Sequence, residues 1–454
     1  MADISRRNWL AALAVAGGGL VESQMAGNAN AMTAQARDRE HQAHPLARSA
    51  LEFGARGDAK KDNTAAFQKA LDAVYAAGGG IVSVPAGRYL FKGHLTMPAN
   101  TSLEGVFLAP PAYIHAKPAS GTVLLVTEGR GQSDGVPFIG ANGNNCTIRG
   151  LGIYYPDQDP HAASPAPYPW AIGPATAAPV EDLSVIDVAL TNPYQGINLV
   201  GAPRHYIARV YGHPIKTGLI VDRCYDIGRI ENCHFWPFWA AAGTPACNWI
   251  QAHGTAFVFG RSDWQYVFNT FSWGYHIGYQ FIATPQGACN GNFLGIGADS
   301  TFEALRVEAA QPASGLLITN GEFVGMIGTE SQGFAIGPKN VGQVVLNNCG
   351  FWGPSNRIGT IQGNGPVSLI GCNFQQWDKN GHGEPAILCD GAPTTVMGCQ
   401  FLHADRKKLV GITKQCAGAI ITGNTSMGSA FTLQRPGRLP RTRFQIHSNI
   451  AAGV

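Results

Sequence analysis

Val344-Val345-Leu346-Asn347-Asn348-Cys349-Gly350-Phe351 and Thr395-Val396-Met397-Gly398-Cys399-Gln400-Phe401 are two copies of one pattern, and Arg229-Ile230-Glu231-Asn232-Cys233-His234-Phe235 is a third. A second pattern alternates with it: Gly196-Ile197-Asn198-Leu199, Gly218-Leu219-Ile220-Val221, Ala256-Phe257-Val258-Phe259, Gly333-Phe334-Ala335-Ile336 and Ala386-Ile387-Leu388-Cys389. With the end of the first pattern as a marker, Val210, Phe235, Phe271, Phe293, Phe323, Phe351, Phe374 and Phe401 are separated by 25, 36, 22, 30, 28, 23 and 27 residues. Paired short strands at such a period, with no helix between them, are the signature of a β-solenoid, in which stacked turns bury a core that no single turn can close. The longer gaps read as loops inserted on one side, where solenoids place their binding surfaces.

Composition agrees. Of 454 residues only 13% are charged, against roughly 25% in an ordinary soluble domain. With 58 glycines and 45% hydrophobic residues the chain is neither disordered nor a coiled coil. The net charge of +3 is unevenly spread, because eight Lys or Arg and no acid follow Asp405. No zinc-finger spacing or basic stripe with interleaved aromatics suggests nucleic acid. Cys-x-x-Cys, His-x-His and His-Glu-x-x-His are absent, so neither metal nor cofactor is expected. Cys233, Cys349, Cys372 and Cys399 each stand two residues before a phenylalanine, which predicts a buried column of small side chains. Cys247 and Cys289 are the remaining candidates for pairing.

Ser5-Arg6-Arg7-Asn8-Trp9-Leu10 precedes a short apolar run, and Ala29-Asn30-Ala31 offers a cleavage site. This reads as a signal peptide over 1–31, similar to a twin-arginine export signal, too short to span a bilayer. The expected organisation is then a linker at 32–48, the solenoid at 49–434 and a basic tail at 435–454. The expected location is periplasmic or secreted, with no membrane span and a monomer or homotrimer as the assembly.

Asp62-Asn63-Thr64 is a helix-start cluster, followed by Phe67, Leu71 and Val74 on one helical face. One amphipathic helix at this place would cover the exposed first coil. Phe53-Gly54-Ala55-Arg56-Gly57-Asp58, Asp62-Asn63-Thr64-Ala65-Ala66-Phe67, Gly78-Gly79-Gly80-Ile81-Val82 and Pro85-Ala86-Gly87-Arg88-Tyr89 together resemble the N-terminal module of the pectate-lyase superfamily. Asn63 departs from the usual pattern, which has a second Asp. The resemblance implies an all-β, single-stranded right-handed parallel β-helix with an N-terminal capping α-helix, related to polygalacturonases, exo-glucanases and phage tailspike depolymerases. It carries no single activity, since the superfamily holds hydrolases, lyases and epimerases. Gly381-His382-Gly383 invites comparison with the polygalacturonase site, but the adjacent Asp pair of that family is missing, and the site is not transferred.

Residues 204–280 hold five of nine Trp and six of thirteen Tyr. Such rings suit sugar stacking, and they equally suit packing of an insertion. Hydrolysis of a polysaccharide needs two carboxylates, ~5–5.5 Å apart for retention or ~6.5–9.5 Å for inversion. Alternation points Leu219, Val221, Leu305 and Val307 inward and Asp222, Arg306 and Glu308 outward. The catalytic candidates are therefore Asp222, Asp263, Glu303, Glu308 and His276. The substrate-binding candidates are Arg261, Arg306, Trp236, Trp239, Trp264, Tyr275, Tyr279 and Glu330. The expected function is an exported glycoside hydrolase acting on a polysaccharide or oligosaccharide. The alternatives are a β-eliminating lyase, with Arg261 or Arg306 neutralising a uronate and His276 or a Tyr as base, and a non-catalytic glycan-binding surface protein.

Overall fold

Strands of two to seven residues, each closed by a turn, are what a chain so rich in glycine and β-branched residues can form. A computed structural model describes residues 46–106, 121–402, 407–428 and 430–452; the twin-arginine-like segment over 1–31 lies outside them. Between Ala47 and Ala452 the strands stack in parallel, coil on coil, as a β-helix with three faces. One face is a 13-stranded parallel sheet running from Leu95–Met97 to Leu433–Gln434. The other two form a single 28-stranded sheet, because Ser184–Leu190 and Tyr206–Gly212 run unbroken around the corner between them.

That corner has a simple physical cause. Nearly every coil turns it on one residue in the left-handed region: Asn232, Asn269, Asn320 and Asn348 at φ between 51° and 55°, then Gly371, Gly398 and Gly423 at 62° to 66°. Asparagine and glycine adopt this conformation at least cost. The asparagines also stitch neighbouring coils, Asn269 Nδ2 donating to Asn232 Oδ1 at 2.8 Å and Asn348 Nδ2 to Asn320 Oδ1 at 2.8 Å.

The core is built of inward columns. Ile197, Leu219, Phe257, Tyr279, Leu305 and Phe334 stand in register on the 13-stranded face, all fully buried. Phe257 lies between Phe235 and Tyr279 with centroids 5.0 and 4.7 Å apart. Each such side chain contributes about 1.5–3 kcal/mol of burial. Phe323, Phe351, Phe374 and Phe401 form a second column, as the repeat predicts. The register corrects three of the markers: Phe235 aligns with Ser272, Ala298 and then Phe323, so Val210, Phe271 and Phe293 fall off the column. The 30-residue gap at 293–323 is therefore an ordinary coil. The stretch between Phe235 and Ser272 carries an insertion that contains the helix Pro245–His253, and the coil between Gly152 and Ala189 is equally long.

All ten cysteines are free and buried, Cys247 and Cys289 among them. Cys372 sits in the column between Cys349 and Cys399, its thiol donating to the Leu346 carbonyl at 3.3 Å. The helix Thr64–Ala76 buries Phe67, Leu71 and Val74, with Phe67 edge-on to Tyr89 and Phe91 at 5.4 and 4.9 Å. Asp62 rather than Asn63 caps it, accepting from the Thr64 amide at 3.0 Å. Among the described residues no helix is long and apolar enough to cross a membrane.

Both ends of the solenoid extend further than the sequence suggests. Ala47 and Arg48, expected in a linker, pair with Ile81 and Val82. The segment 435–454, expected as a tail, contributes Phe444–His447 and Ile450–Ala452, which pair with Ala419–Thr422 and Thr425–Met427. Deleting 435–454 is expected to bare two strand edges and raise aggregation, read by light scattering, because unpaired edges recruit other chains. A truncated protein as monodisperse as the full chain would show that these strands protect nothing.

Candidate functional site

The inserted helix Pro245–His253 begins as its sequence dictates, with Thr244 accepting from the Cys247 amide at 3.3 Å, Pro245 in the first turn and Gly254 after the last. It buries Ala246, Cys247 and Ile250 and leaves Trp249 and His253 on its outer side. Trp249 rests 4.8 Å from the His253 ring and 6.0 Å from Tyr194. Lys216 lies over Trp249 at 5.8 Å and donates to the His253 carbonyl at 3.1 Å.

The chain re-enters the 13-stranded face at His276, whose amide bonds the Ile250 carbonyl at 3.2 Å. Its imidazole stacks on Phe302 at 4.7 Å and 6°. Burial, and then the positive charge of Arg306, push the His276 pKa below the ordinary 6.5, so the ring is neutral at neutral pH. On the next coil Glu303 is 7% exposed, with Arg306 Nε bonded to Oε2 and Gln332 Nε2 donating to Oε1 at 3.1 Å. The two terminal nitrogens of Arg306 have no protein partner among the described residues. Gln280 donates to Glu308 at 2.7 Å, and Thr360 to Gln332 at 2.9 Å. The outer surface of this face is thus a polar ladder holding a neutral imidazole, a guanidinium and a carboxylate side by side, with the helix as one wall.

The other expected residues separate into places of their own. Asp222, Arg261, Asp263 and Trp264 share a corner of the coil. Asp222 Oδ1 accepts from the Arg261 amide at 2.7 Å and from Thr284 at 3.0 Å. Asp263 is held by Arg261 at 2.8 Å and Gln311 at 2.7 Å. Trp264 stands on a bulge at φ 56°, 60% exposed, its amide tied to Asn290 at 2.8 Å. Both acids therefore brace a bent backbone. Glu330 is exposed and accepts from Asn356 at 2.9 Å.

Three aromatic assignments are corrected. Tyr275 and Tyr279 are fully buried, their hydroxyls donating to the carbonyls of Pro214 at 2.7 Å and Thr270 at 3.0 Å. Trp239 is 5% exposed, within the core. None of the three presents a ring to a sugar. Trp236 packs on Trp273 at 5.3 Å at the core's margin. Among the described residues no cluster of His, Cys, Asp and Glu is arranged to hold a metal ion. The turn at Asp378 is closed by its carboxylate accepting from the amides of Gly383 and Glu384 at 3.1 and 3.2 Å. Lys216, Trp249, His253 and Gln332 also line the candidate site and were not among the expected residues, although Thr244-Pro245 and Gly254 bracket the helix that carries Trp249 and His253.

Comparison with known proteins bears on the whole. The family model described as rhamnogalacturonase A/epimerase, pectate lyase-like, matches residues 47–175. Mannuronan C5-epimerase AlgE2 of Azotobacter vinelandii is 48% identical over 61 residues, 12% of this chain and 6% of that protein. Alginate lyase 7 of the same organism is 52% identical over 42 residues, 9% of this chain and 5% of its own length. The matches thus span a small part of these relatives. The A-module of Azotobacter vinelandii mannuronan C-5 epimerase AlgE6 superposes with a TM-score of 0.52 at 15% identity, covering 89% of this chain and 99% of that one. The stacked coils give the chain the parallel β-helix fold, and its residues 47–175 match the pectate-lyase-like family model.

Proposed function

We propose that the chain acts on a uronate-containing polysaccharide by removing the proton next to the sugar carboxylate, the step shared by β-elimination and C5 epimerisation. The observation that carries this reading is His276, a neutral, half-buried imidazole beside Arg306. A carbon acid flanked by a carboxylate is too weak to lose its proton until that carboxylate's charge is neutralised. The free nitrogens of Arg306 would supply a bidentate partner for it. His276 would take the proton, with Glu303 fixing the guanidinium in place. The names of the sequence relatives, an epimerase and an alginate lyase, fit the same chemistry.

Hydrolysis through paired carboxylates has less support. Glu303 and Glu308 are five residues apart along one extended run, ~16 Å at strand rise, well beyond the two-carboxylate range. Asp222 and Asp263 are already committed to backbone and Arg261. Incubation with alginate, pectate and rhamnogalacturonan, followed by ultraviolet absorbance and proton NMR, tests the reading. Unsaturated ends or inverted C5 centres are expected; saturated reducing ends alone would overturn it in favour of hydrolysis.

A further inference from the structure

A cavity lies on the same 13-stranded face, nearer the N-terminal end. It has a volume of about 200 Å³ and is lined by His94, Glu128, Gln132, Tyr155 and Trp170, with Pro169 and the backbone of Gly129 and Gly135 as its wall. The wall is fixed in place. The Gly131 amide bonds the Pro167 carbonyl at 2.8 Å, and Gln195 Nε2 bonds the carbonyls of Ser133 and Tyr168 at 2.8 and 3.1 Å. Gly129, at φ 78°, lies so close to Pro169 that a Cβ there would meet its Cδ at 2.7 Å.

Inside stands an unpaired group. Tyr155 is 1% exposed, and its hydroxyl has no hydrogen-bond partner among the described residues. A buried hydroxyl left unpaired is destabilising, and a ligand hydroxyl would recover that loss. Trp170 offers an aromatic surface and Gln132 an amide. Among the described residues the lining holds one carboxylate, Glu128, and no Lys or Arg. This is the chemistry of a neutral sugar: a ring on an aromatic plane, hydroxyls on carboxylate, amide and phenol, and a charge that repels a uronate.

Trp170 also stands in register with the proposed catalytic ladder. Trp170, Gln195, Thr217, Thr255, Ile277 and Glu303 pair successively across the sheet. Five strand spacings separate the cavity from Glu303, ~24 Å. One sugar cannot touch both; a chain of several sugars along the face can. We propose that this cavity binds a neutral sugar residue of the same glycan that reaches His276 and Arg306, so that the substrate is a heteropolysaccharide mixing uronate and neutral residues. The link to catalysis rests on the function proposed above; the pocket itself does not.

An array of defined oligosaccharides, some wholly neutral and some mixed with uronates, separates the two. The protein should bind arrayed glycans with neutral residues. Trp170→Ala should weaken that binding about tenfold, the scale of a lost aromatic contact. Tyr155→Phe should weaken it several-fold while leaving the melting temperature unchanged or higher, since it deletes an unpaired buried hydroxyl. Arg306→Gln should bind neutral glycans as the wild type does. Absence of any neutral-glycan binding, or equal binding by wild type and Trp170→Ala, overturns the pocket. Pocket binding without turnover of any uronate polymer by the wild type upholds the pocket and overturns its link to catalysis.

Discussion

Replacing His276 by glutamine is expected to lower kcat/KM on a uronate polymer by about 10²–10⁴, the range supplied by a positioned general base. Arg306→Gln is expected to cost about 10²–10³, chiefly in kcat, because the guanidinium matters most when negative charge builds on the carboxylate in the transition state. The pH profile distinguishes these roles from a merely structural one. Burial and Arg306 hold the His276 pKa below 6.5, so wild-type kcat/KM should stay level through neutrality and fall only on the acid side of 6.5. Removing the Arg306 charge takes away the largest lowering cause after burial, and the residual activity of Arg306→Gln should lose its rate at a higher pH than the wild type. Asp263→Asn, which loosens a turn far from the imidazole, should leave that limb where it is. Wild-type rates in both the His276 and Arg306 variants would remove the ladder as the catalytic site.

The difference between what could and could not be read in the sequence lies in the kind of signal. Stacking repeats a residue at one position coil after coil, so the phenylalanine column, the cysteine column and the inward leucines of the 13-stranded face were legible from spacing alone. Side-chain direction at Leu219, Val221, Leu305 and Val307 followed from alternation, and all four are buried. Tyr275 and Tyr279 were placed by aromatic enrichment instead, and composition has no direction. Applied to Tyr279, the register that aligns it with Leu305 puts it in the core. There its hydroxyl is satisfied locally by Thr270. The site itself was half legible. His276, Glu303 and Arg306 were among the candidates, but the same reading set Asp222 and Asp263 beside them. Which acids share a groove depends on the corner each occupies, and one left-handed residue or one bulge, as at Trp264, sends neighbours in sequence to different faces.

Acidification from neutrality to pH 5 is expected to destabilise the fold by about 2 kcal/mol for each of two buried histidines, at about 1.4 kcal/mol per pKa unit. Burial pushes His205 down to about 4 and His213 down to about 3. In His205 the neighbouring Arg229 adds to the effect of burial, while the Ala202 backbone opposes it. Both rings stay neutral in the folded chain as pH falls below 6.5, whereas the unfolded chain takes up a proton on each. The stability is therefore intact above 6.5 and drains away toward the folded values of about 4 and 3. Packing leaves the rings no route to solvent. A Cβ at Gly228 would lie 2.3 Å from the His205 ring, and His213 Nε2 has no hydrogen-bond partner among the described residues. Denaturant unfolding of His213→Phe between pH 7 and 5 should show about half the wild-type loss. His205→Gln, which removes the second titrating ring, should flatten the remainder. A double variant that loses as much stability as the wild type would place the acid sensitivity elsewhere. Because His276 loses its proton-accepting form over the same acid range, the variants also separate two causes of acid inactivation. A flattened stability slope with an unchanged acid limb in kcat/KM assigns that limb to the site rather than to unfolding.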